Sequence, residues 1–190
     1  GKFIAAAAGL AVASTAFANP NKVLDTSINA IAAPTTSFAD RGVNAFFGFE
    51  SSEGYGLGAL NGQNGWTEFT ANPGAGQVSA ANPAAGNQHV RITEDPAATG
   101  NHGVFSPDFG PLGAGTYITS VDVAINDEGG SDYDVLGQAP SQGFLAWRVK
   151  FSFLGDILVL DDTGGGLGFV DTGADWNLGL GYTNLEVTVD

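Results

Sequence analysis

The densest group of oxygen donors in the chain is NDEGGSDYD, Asn126 to Asp134. Asp127, Asp132 and Asp134 are spread through a glycine-containing loop sequence. A hard cation such as Ca2+ takes six to eight oxygens, and carboxylates and loop carbonyls supply them. The spacing is not that of an EF-hand loop, so the competing reading is a solvated acidic loop. Glycosidic cleavage asks for two carboxyl groups roughly 5–10 Å apart. Asp156 and Asp162 stand six residues apart in GDILVLDD, about 20 Å by strand rise, which is too far. Carboxylates on different strands escape that limit. His89 and His102 are the only histidines. Alternation sets His89 on the wet face of a strand beside Arg91, and TGNHGVF puts His102 in a loop, so both are expected at the surface. No Gly-x-Ser-x-Gly elbow occurs. No cysteine is present, which excludes disulfides, thiolate metal sites and cysteine nucleophiles. Stacking on sugar rings asks for aromatics outside the core. Trp176 in GADWNLG and Tyr133 in the acidic stretch are the candidate carbohydrate contacts.

These residues need elements to position them, and the pattern is that of strands. GFLAWRVKFSF alternates: Leu145, Trp147, Val149, Phe151 and Phe153 form a core face, while Arg148 and Lys150 face away. LGDILVLDD pairs with it as a hairpin through an LGD turn. TYITSVDVAI carries Val121, Val123 and Ile125 on one face, and YTNLEVTVD carries Leu185, Val187 and Val189. Asn-Gly pairs and Asn-Pro loops lie between the strands. No mature amphipathic helix is evident. Strands of this spacing predict an all-β, two-sheet antiparallel sandwich. The strand pattern runs to Asp190, which predicts a sandwich incomplete at its C-terminal side.

The ends and the composition narrow the classes. Lys2, an apolar run and Ala16-Phe17-Ala18 have the order of a cleaved export signal. Residues 1–18 are therefore expected as a signal-peptide helix, 19–44 as a leader or linker, and 45–190 as the folded domain. The apolar run is short of the ~20 residues a spanning helix needs. The net charge is −14, with six basic residues in the chain. Such a surface repels nucleic acid and anionic membranes. A secreted or cell-envelope location follows from the export signal.

FGFESSEGYGLGALNGQNGW resembles the opening of exported bacterial domains with a concanavalin A-like (laminin-G/lectin–glucanase) jelly roll. Those begin with a Phe-Glu strand, then an aromatic, then G-x-L-x-G-Q-x-G-W, which here is Gly58 to Trp66. VDVAIND, FLAWRVKF and DTGADWNLGLGYTNLEVTVD follow in a compatible order, so the resemblance spans Ala45 to Asp190. It implies a jelly-roll sandwich in which Glu50 helps a structural Ca2+ or ties the first strand to the last. Trp66 is then an anchor at the sandwich edge. The Glu-x-Asp-x-Glu strand of glucanases on this fold is missing. The leading reading is an exported, non-catalytic, lectin-like domain with polysaccharide as its partner. The alternatives are a glycoside hydrolase or polysaccharide lyase with carboxylates drawn from several strands, and a purely structural envelope module.

Overall fold

A computed structural model describes residues 9–15, 25–29, 45–70, 73–93, 101–109, 115–126, 131–139, 144–177 and 181–189. Their regular structure is almost entirely strand: β1 (Gly9–Thr15), β2 (Asp25–Asn29), β3 (Gly58–Ala59), β4 (Thr67–Glu68), β5 (Gly76–Ser79), β6 (His89–Thr93), β7 (Asn101–Phe105), β8 (Tyr117–Ile125), β9 (Asp132–Ala139), β10 (Phe144–Phe151), β11 (Asp156–Asp162), β12 (Leu167–Asp175) and β13 (Thr183–Val189). A seven-stranded sheet runs β12-β11-β10-β9-β1-β7-β4, and a six-stranded sheet runs β13-β8-β2-β6-β5-β3. Every pairing is antiparallel. The fold is all-β and sandwich-like.

β-branched residues placed in register hold the first sheet. Val104, Val12, Val135, Val149, Val159 and Val170 are successive cross-strand partners from β7 to β12. The pairs Val135–Val149, Val149–Val159 and Val159–Val170 are of the kind that pack side by side on a pleated face. Val104, Val135 and Val149 are buried in one cluster with Val78, Val90, Ile92, Val121 and Val123 of the other sheet. Each such side chain contributes about 1.5–3 kcal/mol on leaving water.

Alternation predicted most of the faces correctly. Val121, Val123 and Ile125 are buried, and Trp147 packs half-buried against the core. Trp147 lies so close over Gly137, its cross-strand partner, that a β-carbon there would clash with the indole. Phe151 is 5% exposed, but Phe153 is 51% exposed. The expectation that both are core fails because β10 stops at Phe151. Ser152 to Gly155 then form the turn, with the Gly155 N–H donating to Ser152 O (2.9 Å). Gly155 takes φ +105°, which favours glycine.

Two differences concern the N-terminal quarter. The helix expected over residues 1–18 is a strand where that segment is described: β1 lies between β7 and β9. The facing edges of β7 and β9 each offer backbone donors and acceptors, and a strand pairs with both where a helix would pair with neither. Within the 19–44 leader, β2 stands between β6 and β8. β1 and β2 thus each occupy an inner position of a sheet.

The histidines are the clearest correction. His89 is 0% and His102 is 1% exposed. His102 is in β7 rather than a loop, two residues from buried Val104 and so on the same face. His89 does lie off the Val90–Ile92 face, but alternation says only which face a residue takes, not what covers it.

Candidate functional site

The opening motif forms an anchor rather than a site. Phe49, Tyr55 and Trp66 meet with ring centroids 5.2 Å apart in the pairs Phe49–Tyr55 and Phe49–Trp66. Phe47 approaches Trp66 edge-on at 5.1 Å. Trp66 is 2% exposed, and its indole N–H donates to the Tyr55 hydroxyl (3.0 Å). Burial pushes the Tyr55 phenol up from its ordinary value. Polar side chains stitch the surrounding loop. Glu53 Oε2 accepts the Gly48 N–H (2.9 Å), and Gln63 Oε1 accepts the Gly56 N–H (2.7 Å) while its amide nitrogen donates to Ala59 O (2.6 Å).

The expected metal ligands are scattered among other duties. Glu50 Oε1 accepts the backbone N–H groups of Asn87 (2.7 Å) and Gln88 (3.0 Å). The Asn87 N–H, as the largest cause, holds this carboxyl below its ordinary 4.5. Gly86 makes the approach possible, since a β-carbon at that position would strike the Glu50 carboxylate. Glu50 thus ties the opening loop to the start of β6.

Asp132 and Asp134 point from β9 to cations of β10. Lys150 Nζ is 2.8 Å from Asp132 Oδ2. Arg148 holds Asp134 through two bonds, Nε to Oδ1 at 2.9 Å and Nη2 to Oδ2 at 2.6 Å. Asp134 raises the Arg148 guanidinium above its ordinary value. Both cations also sit over the Phe169 ring, at 5.1 and 4.2 Å from its centroid. Asp127 lies outside the described residues. Among the described residues no group of three or more His, Cys, Asp or Glu is placed to hold a metal ion.

The two expected sugar contacts are brought together, but differently from expectation. Tyr133 and Trp176 meet edge to face, 6.2 Å apart at 88°. Tyr133 is 3% exposed, because it shares the inward face of β9 with Val135. It is the wall behind Trp176 and presents no surface. Trp176 follows β12 directly. Its backbone N–H donates to Gly155 O (2.8 Å) and its indole N–H to Ser152 O (2.8 Å). The β10–β11 turn therefore fixes both ends of the residue, and the half-buried ring is held in one orientation.

Beside that ring a shallow cleft of about 60 Å3 opens between the two sheets. Its floor is Val123, Ile125, Phe151 and Ile157, and its rim is Asp175, Trp176, Asn177 and Thr183. Asp175, Asn177 and Thr183 are exposed. An aromatic face flanked by a carboxylate, an amide and a hydroxyl offers apolar contact and several hydrogen-bonding partners at once. Asp156 is the cross-strand partner of Asp175, so the register sets acidic residues of two strands opposite one another beside the cleft, which neither local stretch revealed. Of the rim, only Asp175 and Asn177 had a signal in sequence, as the neighbours of Trp176; Thr183 arrives through β13. Comparison with protein-family models, curated proteins and solved structures finds no match to this chain.

Proposed function

We propose that the chain is an exported, non-catalytic, lectin-like domain on a concanavalin A-like jelly roll, and that it binds polysaccharide at the Trp176 cleft. The observation that carries this reading is an indole pinned by two hydrogen bonds at the rim of an inter-sheet cleft, with three exposed polar side chains beside it. Sugar rings present an apolar face and a girdle of hydroxyls. A rigid aromatic with polar neighbours suits both, and its orientation is set before the ligand arrives. The Gly58–Trp66 motif, with Trp66 as its buried anchor, supports the fold half of the reading. Export rests on the charged, apolar and Ala-x-Ala order of residues 1–18. Cleavage after Ala18 would remove β1; mass spectrometry of the secreted protein tests for a start at Asn19. A calcium ion, if bound, is structural.

A second reading, a glycoside hydrolase, is favoured by one observation: Asp156 and Asp175 are directly opposite across β11 and β12. Opposite residues lie about 5 Å apart, close to the separation of a retaining pair. The exposure of Asp175 argues against it, since a general acid is kept protonated by surroundings that exclude water. The test is a panel of soluble polysaccharides in native gels, run with a parallel assay for reducing ends and unsaturated products. Retention without product supports the lectin-like reading. Released product supports the hydrolase or lyase. Neither retention nor product removes both and leaves a structural module.

A further inference from the structure

We infer that the Trp176 cleft selects neutral polysaccharide and rejects uronate-bearing chains. The inference rests on the glycan-binding reading above and concerns which glycans qualify. The charged side chain on the rim is Asp175, and its cross-strand partner is Asp156. Among the described residues no cation lines the cleft. Among the described residues the basic side chains are Arg91, Arg148 and Lys150. Arg148 and Lys150 are bound to Asp134 and Asp132, and they occupy the face of β10 opposite to cleft-lining Phe151. Arg91 is on β6, with β2 between it and β8.

A uronate docking on the indole therefore meets the Asp175 carboxylate, and among the described residues no guanidinium or ammonium lines the cleft to receive it, in a chain of net charge −14. Unpaired like charges brought together reject the wrong partner more strongly than a missing contact does. A neutral ring meets no such penalty, and its hydroxyls can donate to Asp175 and exchange bonds with Asn177 and Thr183.

The test uses the full chain in affinity gels and titration calorimetry against neutral polymers (β-glucan, galactan, mannan) and anionic ones (polygalacturonate, alginate). Each is run at low and moderate salt, with calcium and with chelator. The expected result is retention by at least one neutral polymer and at least tenfold weaker binding of every anionic one at low salt. The gap narrows as salt screens the repulsion, and it narrows also in Asp175→Asn. Equal or stronger binding of an anionic polymer, with or without calcium, overturns the selectivity while leaving the glycan reading intact. Retention by no polymer of either class overturns both.

Discussion

Trp66 and Trp176 are the same side chain used in two ways. Both have a satisfied indole N–H: Trp66 donates to the Tyr55 hydroxyl at 3.0 Å, and Trp176 to the Ser152 carbonyl at 2.8 Å. What differs is what remains around the ring. Trp66 is wrapped by Phe47, Phe49 and Tyr55, and is almost wholly buried. Trp176 has Tyr133 on one side and an open cleft on the other. A buried, hydrogen-bonded aromatic stabilises the fold; a pinned but half-exposed one leaves area for a ligand. The contrast predicts that substitutions at the first site act on stability and those at the second act on binding.

The largest effect is expected at the anchor. Trp66→Ala removes a fully packed indole and should cost about 3–5 kcal/mol, lowering Tm by roughly 10 °C or more for a chain of this size. Tyr55→Phe is the finer probe. It keeps the ring and deletes the acceptor of a buried N–H, which should cost about 1–3 kcal/mol. Thermal melts followed by circular dichroism check both, and a Trp66→Ala protein that melts like the parent would erase the distinction between the two tryptophans.

A smaller, pH-dependent effect is expected at Glu50, which belongs to the anchor side. Its folded carboxyl titrates below the ordinary 4.5 because the Asn87 and Gln88 N–H groups favour the anion. The stability it adds is present above that ordinary value and is lost as pH falls through the lower, folded one. The Tm difference between the parent and Glu50→Gln should therefore be largest near neutral pH, shrink below about pH 4.5 and close in stronger acid. Solvent exposure keeps it modest. A difference independent of pH would assign the bonds no charge component.

Calcium is expected to act least. Asp132 and Asp134 are engaged by Lys150 and Arg148, and an ion would have to displace those partners. Melts in millimolar calcium and in chelator should coincide. A rise of several degrees would locate an ion elsewhere, with Asp127 the first residue to test.

Sequence carried the strand faces further than it carried their surroundings. The period-two pattern placed Val149, Phe151, Val121, Val123, Leu185 and Val187 correctly, because a pleated strand has only two faces. It misplaced Phe153, because where a strand stops is decided by the turn: the Ser152–Gly155 bond and the positive φ of Gly155. It misread His89 and His102, because burial depends on which strands and loops arrive from elsewhere. The N-terminal segment shows the same limit in sharper form. An Ala-rich apolar run predicts a helix on its own, yet its described part, Gly9–Thr15, pairs as a strand with both β7 and β9. At the cleft, Trp176 reads from sequence as a loop aromatic, whereas the acidic neighbours of Tyr133 mask its inward register on β9. The Asp156–Asp175 pairing and the arrival of Thr183 depend on cross-strand register, which no single stretch encodes.

The most direct test of the cleft is a matched comparison of the parent and Trp176→Ala on the neutral polysaccharides of the panel, each checked by a melt. Trp176 is half-buried, so the variant should lose about 1–2 kcal/mol of stability and still unfold cooperatively. Its retention by any polymer that slows the parent should disappear. A folded Trp176→Ala protein retained as strongly as the parent would contradict the account.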